Sequence, residues 1–305
     1  MANIQHHRFK PISEFHRFRN LPKPEHPLIS VINLESVKRL PANEPSLAFD
    51  FYFISMKRNF NAKVKYGQQE CDFDEGIMFF MSPGQVLRIE VEKDALLQHS
   101  GWILLVHPDF LWNTALAKTI KQYEYFDYSV NEALFLSDKE ETTIAGIMQN
   151  IEQEYRSNID AFSQDVLVAQ IELLLNYSNR FYNRQFITLK KASSDLLVKL
   201  ENLLNEYFDR QNESQTGLPT VKYIADKLNV SPNYLSDMLR TLTGQSAQQH
   251  IHNKLIERAK EALTTTSLSV GEIAYRLGFE HPQSFNKLFK NKTNISPLEF
   301  RNSFN

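Results

Sequence analysis

Residues 273–301 read IAYRLGFEHPQSFNKLFKNKTNISPLEFR, and the polar members of this stretch are the first candidates for chemistry. Wound as a helix from Pro282, the stretch turns Phe285, Leu288 and Phe289 inward and leaves His281, Gln283, Ser284, Asn286, Lys287 and Lys290 outward. Hydrogen-bonding side chains at a helix N-terminus, followed by cations, suit base edges in a DNA groove first and phosphates after. The bland alternative is a helical hairpin with a solvated face, in which His281 only caps the helix and the lysines touch backbone alone.

No constellation for catalysis competes with this one. Metal sites of β-rich enzymes need clustered His and Glu. His99 and His107 instead lie eight residues apart in different contexts, and His6-His7 sits at a terminus expected to be mobile. Asp72, Asp74 and Glu75 beside Gly76 read as a loop and its turn rather than an acid/base pair. Cys71, the single cysteine, reads as a packed thiol. Serine-nucleophile elbows, phosphate loops and dinucleotide-binding glycine patterns are absent from the sequence. The expectation is a chain with no catalytic residue, metal or cofactor.

The elements that hold the outward residues repeat. Val221, Ile224, Ala225 and Leu228 recur 49 positions later as Val270, Ile273, Ala274 and Leu277. Beyond the turn the offset is 50, where Leu235, Leu239, Thr243 and Ser246 answer Phe285, Phe289, Thr293 and Ser296. Each copy predicts a short helix, a tight turn and a second helix, with alanine where the two must cross closely. Gly278 and Asn229 follow the last apolar residue of each first helix, where positive φ turns the chain. Pro232 and Pro282 open each second helix, where a missing N–H costs little. The motifs are placed at about 220–243 and 269–292, joined by a helix over about 247–264. In the first, Ser231, Asn233, Ser236, Asp237 and Arg240 are the outward candidates, with Asp237 either accepting from a cytosine amine or facing solvent.

The first half has a different texture. Apolar runs at 30–37, 47–55, 76–83, 86–91 and 101–107 between turn residues predict strands of a small sandwich or barrel. Phe51, Phe53, Phe79 and Trp102 read as core rather than pocket. After Pro108 the period becomes helical, first in DFLWNTALAKTI and then from Ser137 or Asp138. A further helix over about 162–186 carries Val166, Ala169/Gln170, Leu173/Leu174, Tyr177 and Phe181 in a stripe that Ile171, Leu175, Ser178 and Tyr182 widen. So broad an apolar face suits either intramolecular packing or a homodimer. TLKKASS, polar and basic, is expected as a linker over 187–194 between domains at 1–186 and 195–305.

Charge agrees with that division. The 305 residues carry a net charge of −2, yet residues 1–189 hold 19 Lys+Arg against 24 Asp+Glu while 190–305 hold 15 against 12. The C-terminal part is therefore the one fitted to a polyanion. No apolar run approaches the roughly 20 residues of a membrane helix, and the N-terminus lacks the apolar core of a signal peptide. A cytoplasmic protein is expected.

Residues 220–301, through IAYRLGF, SFNKLFK and SPLEFR, resemble the DNA-binding domain of the AraC/XylS family of bacterial transcription regulators. The resemblance implies a β-rich, cupin-like barrel with following helices, then an all-α tandem helix-turn-helix domain. It also implies promoter DNA as partner, with RNA polymerase, a small-molecule effector and a second copy of the chain as further partners. Relatives often have glycine where Asn294 stands and arginine where Leu255 stands, which leaves Lys254 or Arg258 to meet phosphate from the joining helix. The alternative from another class is a cupin-type enzyme or metabolite-binding protein with an accessory DNA-binding tail.

Overall fold

The computed structural model describes residues 6–36, 46–58, 64–66, 69–71, 76–87, 100–128, 132–157, 160–188, 190–209 and 217–303. The chain divides into two compact units, residues 1–185 and 186–305.

The first unit begins with β1 (His6–Phe9) and α1 (Ile12–Phe18), followed by β2 (Ile29–Asn33), β3 (Ser46–Phe49) and β4 (Tyr52–Arg58). Strands β5 (Val64–Tyr66), β6 (Gln69–Cys71), β7 (Gly76–Met81), β8 (Val86–Leu87) and β9 (Ser100–Val106) come next. Then follow α2 (Leu116–Thr119), β10 (Leu134–Leu136), α3 (Asp138–Tyr155) and α4 (Ser163–Thr188). The strands form a five-stranded antiparallel sheet in the order β10-β7-β4-β9-β2, a three-stranded sheet β1-β3-β8 and a β5-β6 hairpin. Among the described residues these are separate sheets and not the closed barrel expected. Of the run expected as a strand at 86–91, only Val86 and Leu87 are described, and His99 and Asp72 to Glu75 also lie outside the described residues.

Between the two larger sheets lies a phenylalanine-rich core. Phe9, Phe15 and Phe49 meet Phe51, Phe53 and Phe79 there, with Leu47, Leu87, Ile103 and Leu105 around them. The opposite face of the five-stranded sheet is buried too, where Phe80 packs on Tyr125 and Tyr182 and the Trp102 indole N–H donates to Glu152 of α3 at 2.8 Å. Trp102 is thus core, as expected, but on the helix side of the sheet and outside the phenylalanine cluster. Burial on both faces explains why these strands read as near-continuous apolar runs instead of alternating.

Three expectations need correction here. His6 and His7 do not sit on a mobile tail: β1 pairs in parallel with β3, and the His7 ring packs on Phe9 and Phe18. DFLWNTALAKTI is not one helix, because Asn113 takes a left-handed φ of 65° and separates a 3-10 turn at Pro108–Leu111 from α2. On α4 Leu174 and Phe181 of the expected stripe are buried, together with Leu167, Ile171, Leu175, Ser178 and Tyr182, whereas Val166 and Leu173 are exposed. The residues taken as widening the stripe are its centre. The segment expected as a linker at 187–194 is helical on both sides of Leu189, with α4 reaching Thr188 and the next helix starting at Lys190. TLKKASS has no glycine or proline to stop a helix, and lysine and alanine favour one.

The second unit is helical: α5 (Lys190–Asp209), α6 (Val221–Leu228), α7 (Pro232–Thr243), α8 (Ala247–Thr265), α9 (Val270–Arg276), α10 (Pro282–Thr293) and α11 (Pro297–Asn302). Its core takes the same positions from both copies of the repeat. Ile224, Ala225, Leu235 and Leu239 are buried, and so are Ile273, Ala274, Phe285 and Phe289. Helix α8 runs between the copies with Ile251, Leu255, Ala259 and Leu263 buried.

Candidate nucleic-acid interface

The two copies match in hydrogen bonds as well as in burial. Thr220 and Ser269 cap α6 and α9 through their side chains, accepting from Tyr223 and Glu272 N–H. The turns then close alike, with Val230 N–H donating to Ala225 C=O and Phe279 N–H to Ala274 C=O, each at 3.0 Å. Asn229 and Gly278 hold the positive φ values, 56° and 91°, that both turns require. At the far ends Thr243 and Thr293 donate their hydroxyls back to Leu239 and Phe289 C=O at 2.8 Å. Ser246 and Ser296 then start the next helices in capping boxes with Gln249 and Glu299. Asn294, at φ 65°, does the work of Gly244 at φ 73°.

Helix α10 presents the outward residues as read. Gln283, Ser284, Asn286, Lys287 and Lys290 are exposed, backed by the buried Phe285 and Phe289. His281 is the N-cap residue and exposed, but its side chain makes no cap hydrogen bond. Asn291, which the sequence reading passed over, is also exposed, and its spacing from Lys287 places it on the same stripe. Lys292 turns elsewhere: its Nζ donates to Asn253 Oδ1 of α8 at 3.1 Å. Within Pro282–Thr293 there are three lysines and no acid, so this helix offers a cationic face.

Helix α7 differs. Ser231 is buried and accepts from Tyr234 N–H as the cap of the helix. A serine before Pro232 satisfies an otherwise orphaned amide, and sequence alone does not separate that role from base contact. Asn233, Ser236 and Asp237 are half-buried and Arg240 is exposed, with Arg240 donating to Asp237 at 2.6 Å.

The joining helix brings no loose cation forward at the two positions considered. Lys254 pairs with Glu257 at 2.8 Å, and Arg258 pairs with Asp209 and Glu261 at 2.7 and 3.1 Å. Leu255 is 1% exposed, which fits an apolar residue where relatives carry arginine. Burial first, and then the charge of Lys292, hold the His252 imidazole below its ordinary pKa. Among the described residues no group of three or more His, Cys, Asp or Glu stands close enough to hold a metal ion, and no helix is long and apolar enough to cross a membrane.

Residues 224–303 match the family model of a helix-turn-helix domain. The HTH-type transcriptional activator RhaS of Escherichia coli is 28% identical over 156 residues, 51% of this chain and 51% of RhaS. A histidine kinase, P4, of Formosa agariphila is 25% identical over 158 residues, 50% of this chain and 10% of the kinase. The chain therefore spans about half the length of the first of these relatives and far less of the second. The solved C-terminal domain of the two-component response regulator yesN from Fusobacterium nucleatum is 31% identical, with 33% of this chain and 96% of that one covered and a TM-score of 0.29. The second unit is accordingly a tandem helix-turn-helix DNA-binding domain. The likeness to RhaS and to the helix-turn-helix family model lies in that unit.

Proposed function

We propose that this protein is a sequence-specific transcription regulator that binds double-stranded promoter DNA through its second unit. The observation that carries the reading is the exposed face of α10, where Gln283, Ser284 and Asn286 precede Lys287 and Lys290 on a helix without a single acid. Amide and hydroxyl groups at the entering end meet base edges, and the lysines behind them meet phosphate. The two reading helices enter successive major-groove faces of one site. RhaS, which is named as a transcriptional activator, supports the assignment by similarity.

The first unit is assigned the regulatory role, as a cupin-like β domain that answers a small-molecule effector or pairs two copies of the chain. Support for pairing comes from α4, whose Val166 and Leu173 are exposed at 39% and 46%, with Phe162 at 70% just before the helix. The work is placed in the cytoplasm, with RNA polymerase as a further partner. Titration of the full chain with duplex DNA taken from the flank of its own gene tests the reading. Log K should fall linearly with log salt, with a slope of about −0.9 per phosphate neutralised. Gln283→Ala combined with Lys287→Ala should abolish preference for the site, and unchanged specific binding in that variant would remove α10 from the interface.

A further inference from the structure

The two reading helices are unequal at positions that the repeat makes equivalent. The offset of 50 sets Asp237 against Lys287 and Arg240 against Lys290. Where α10 carries two exposed lysines, α7 carries an ion pair, with Arg240 Nη1 2.6 Å from Asp237 Oδ1. The two partners are not equally placed. The Asp237 side chain is 23% exposed and the Arg240 side chain 50%, so the acid is set into the helix surface while the guanidinium stands proud of it.

That arrangement has three physical consequences. A carboxylate three-quarters covered is a poor first contact for a base, which argues against Asp237 reaching a cytosine amine itself. Holding one end of an arginine removes rotamer freedom that a free side chain would lose on binding. The carboxylate also cancels the cation seen from a phosphate several ångströms away, well inside the roughly 8 Å screening length of physiological salt, so the pair gains little from counterion release. A fixed, locally neutralised guanidinium is poorly suited to gripping backbone and well suited to a guanine edge, whose O6 and N7 accept from arginine.

We infer that Asp237 is a positioning residue for base recognition: it holds Arg240 so that the first motif selects a G·C pair, while the cationic second motif supplies affinity. The inference rests on the DNA-binding reading above. It is tested by selecting preferred sites from a pool of randomised duplexes with the full chain, then measuring every single-base change in the best site. Wild type, Asp237→Asn, Arg240→Ala, the double variant and Lys287→Ala are compared. Asp237→Asn should lower preference at one G·C pair by about three- to tenfold while binding to random duplex is kept or strengthened. Arg240→Ala should lower preference at that same pair, and the double variant should lose no more than Arg240→Ala alone. Lys287→Ala should instead weaken every sequence and flatten the salt slope by about one phosphate. An Asp237→Asn variant that keeps full preference at the pair lost in Arg240→Ala overturns the positioning role. An Arg240→Ala variant that weakens all sequences evenly overturns the selector role. Wild type that binds no duplex at any salt overturns the DNA-binding reading itself, and this inference with it.

Discussion

Adding one methyl group at Gly278 tests how firmly the second motif is seated. Gly278 has φ 91°, a conformation that costs an L-residue about 1 kcal/mol or more. A Cβ there would also lie 2.2 Å from the Gly217 carbonyl oxygen and 2.7 Å from its carbon. Both are backbone atoms that no rotamer change moves aside, and the same oxygen accepts the Tyr207 hydroxyl at 3.1 Å. Forced overpacking of this kind costs about 1–3 kcal/mol, so Gly278→Ala should destabilise the second unit by about 2–4 kcal/mol in all. Asn229 is the internal control, since it occupies the matching turn with φ 56°, and Asn229→Ala should cost only the conformational part, about 1 kcal/mol. Urea unfolding of the full chain separates the units by signal. Both tryptophans, Trp102 and Trp112, lie in the first unit, so their fluorescence follows that unit alone, while far-ultraviolet circular dichroism also follows the helices of the second. The dichroism midpoint should fall for Gly278→Ala and the fluorescence midpoint should stay. A loss in Gly278→Ala no larger than in Asn229→Ala would refute the close-approach account.

Acid should weaken the first unit through His16. Its Nδ1 donates to Pro22 C=O and its Nε2 shares a hydrogen bond with the Ser30 hydroxyl. Burial, the larger effect, holds the imidazole below its ordinary value of 6.5 despite the Pro22 bond. A depressed histidine pKa means the unfolded chain takes up the proton first, so stability is full above pH about 6.5 and declines as pH falls through it. Tryptophan-monitored unfolding at several pH values should show that decline, and His16→Gln should flatten it. Phe49→Ala empties the centre of the phenylalanine cluster, where Phe49 is 1% exposed, and should lower the first unit's stability by about 3–5 kcal/mol in the same assay.

The second unit was the more legible because the sequence states it twice. Ile224 and Ala225 recur as Ile273 and Ala274 at one offset, and a chance pattern does not repeat its left-handed turn residue, its proline and its capping serine together. Contact roles were less legible. Ser231 has the chemistry of a base contact and the structure makes it a cap, because hydroxyls serve orphaned helix amides as readily as nucleotides. In the first unit the strands could be found and their faces could not: a sheet covered on both sides gives no alternation to read, so Trp102 and Phe53 looked alike although they point to opposite layers. The break at Asn113 turned on a residue whose backbone choice is set by context, not by composition.

The repeat is also unequal in length. Three residues, Asn229 to Ser231, lead from Leu228 into Pro232, and four, Gly278 to His281, lead from Leu277 into Pro282. Two copies with different turns cannot be exchanged by a twofold rotation, so a single bound chain has a head and a tail along the duplex. A site for one chain therefore has an orientation, and reversing it presents each half of the sequence to the wrong reader. Palindromic sites belong only to pairs of chains; one chain alone reads left and right as different words.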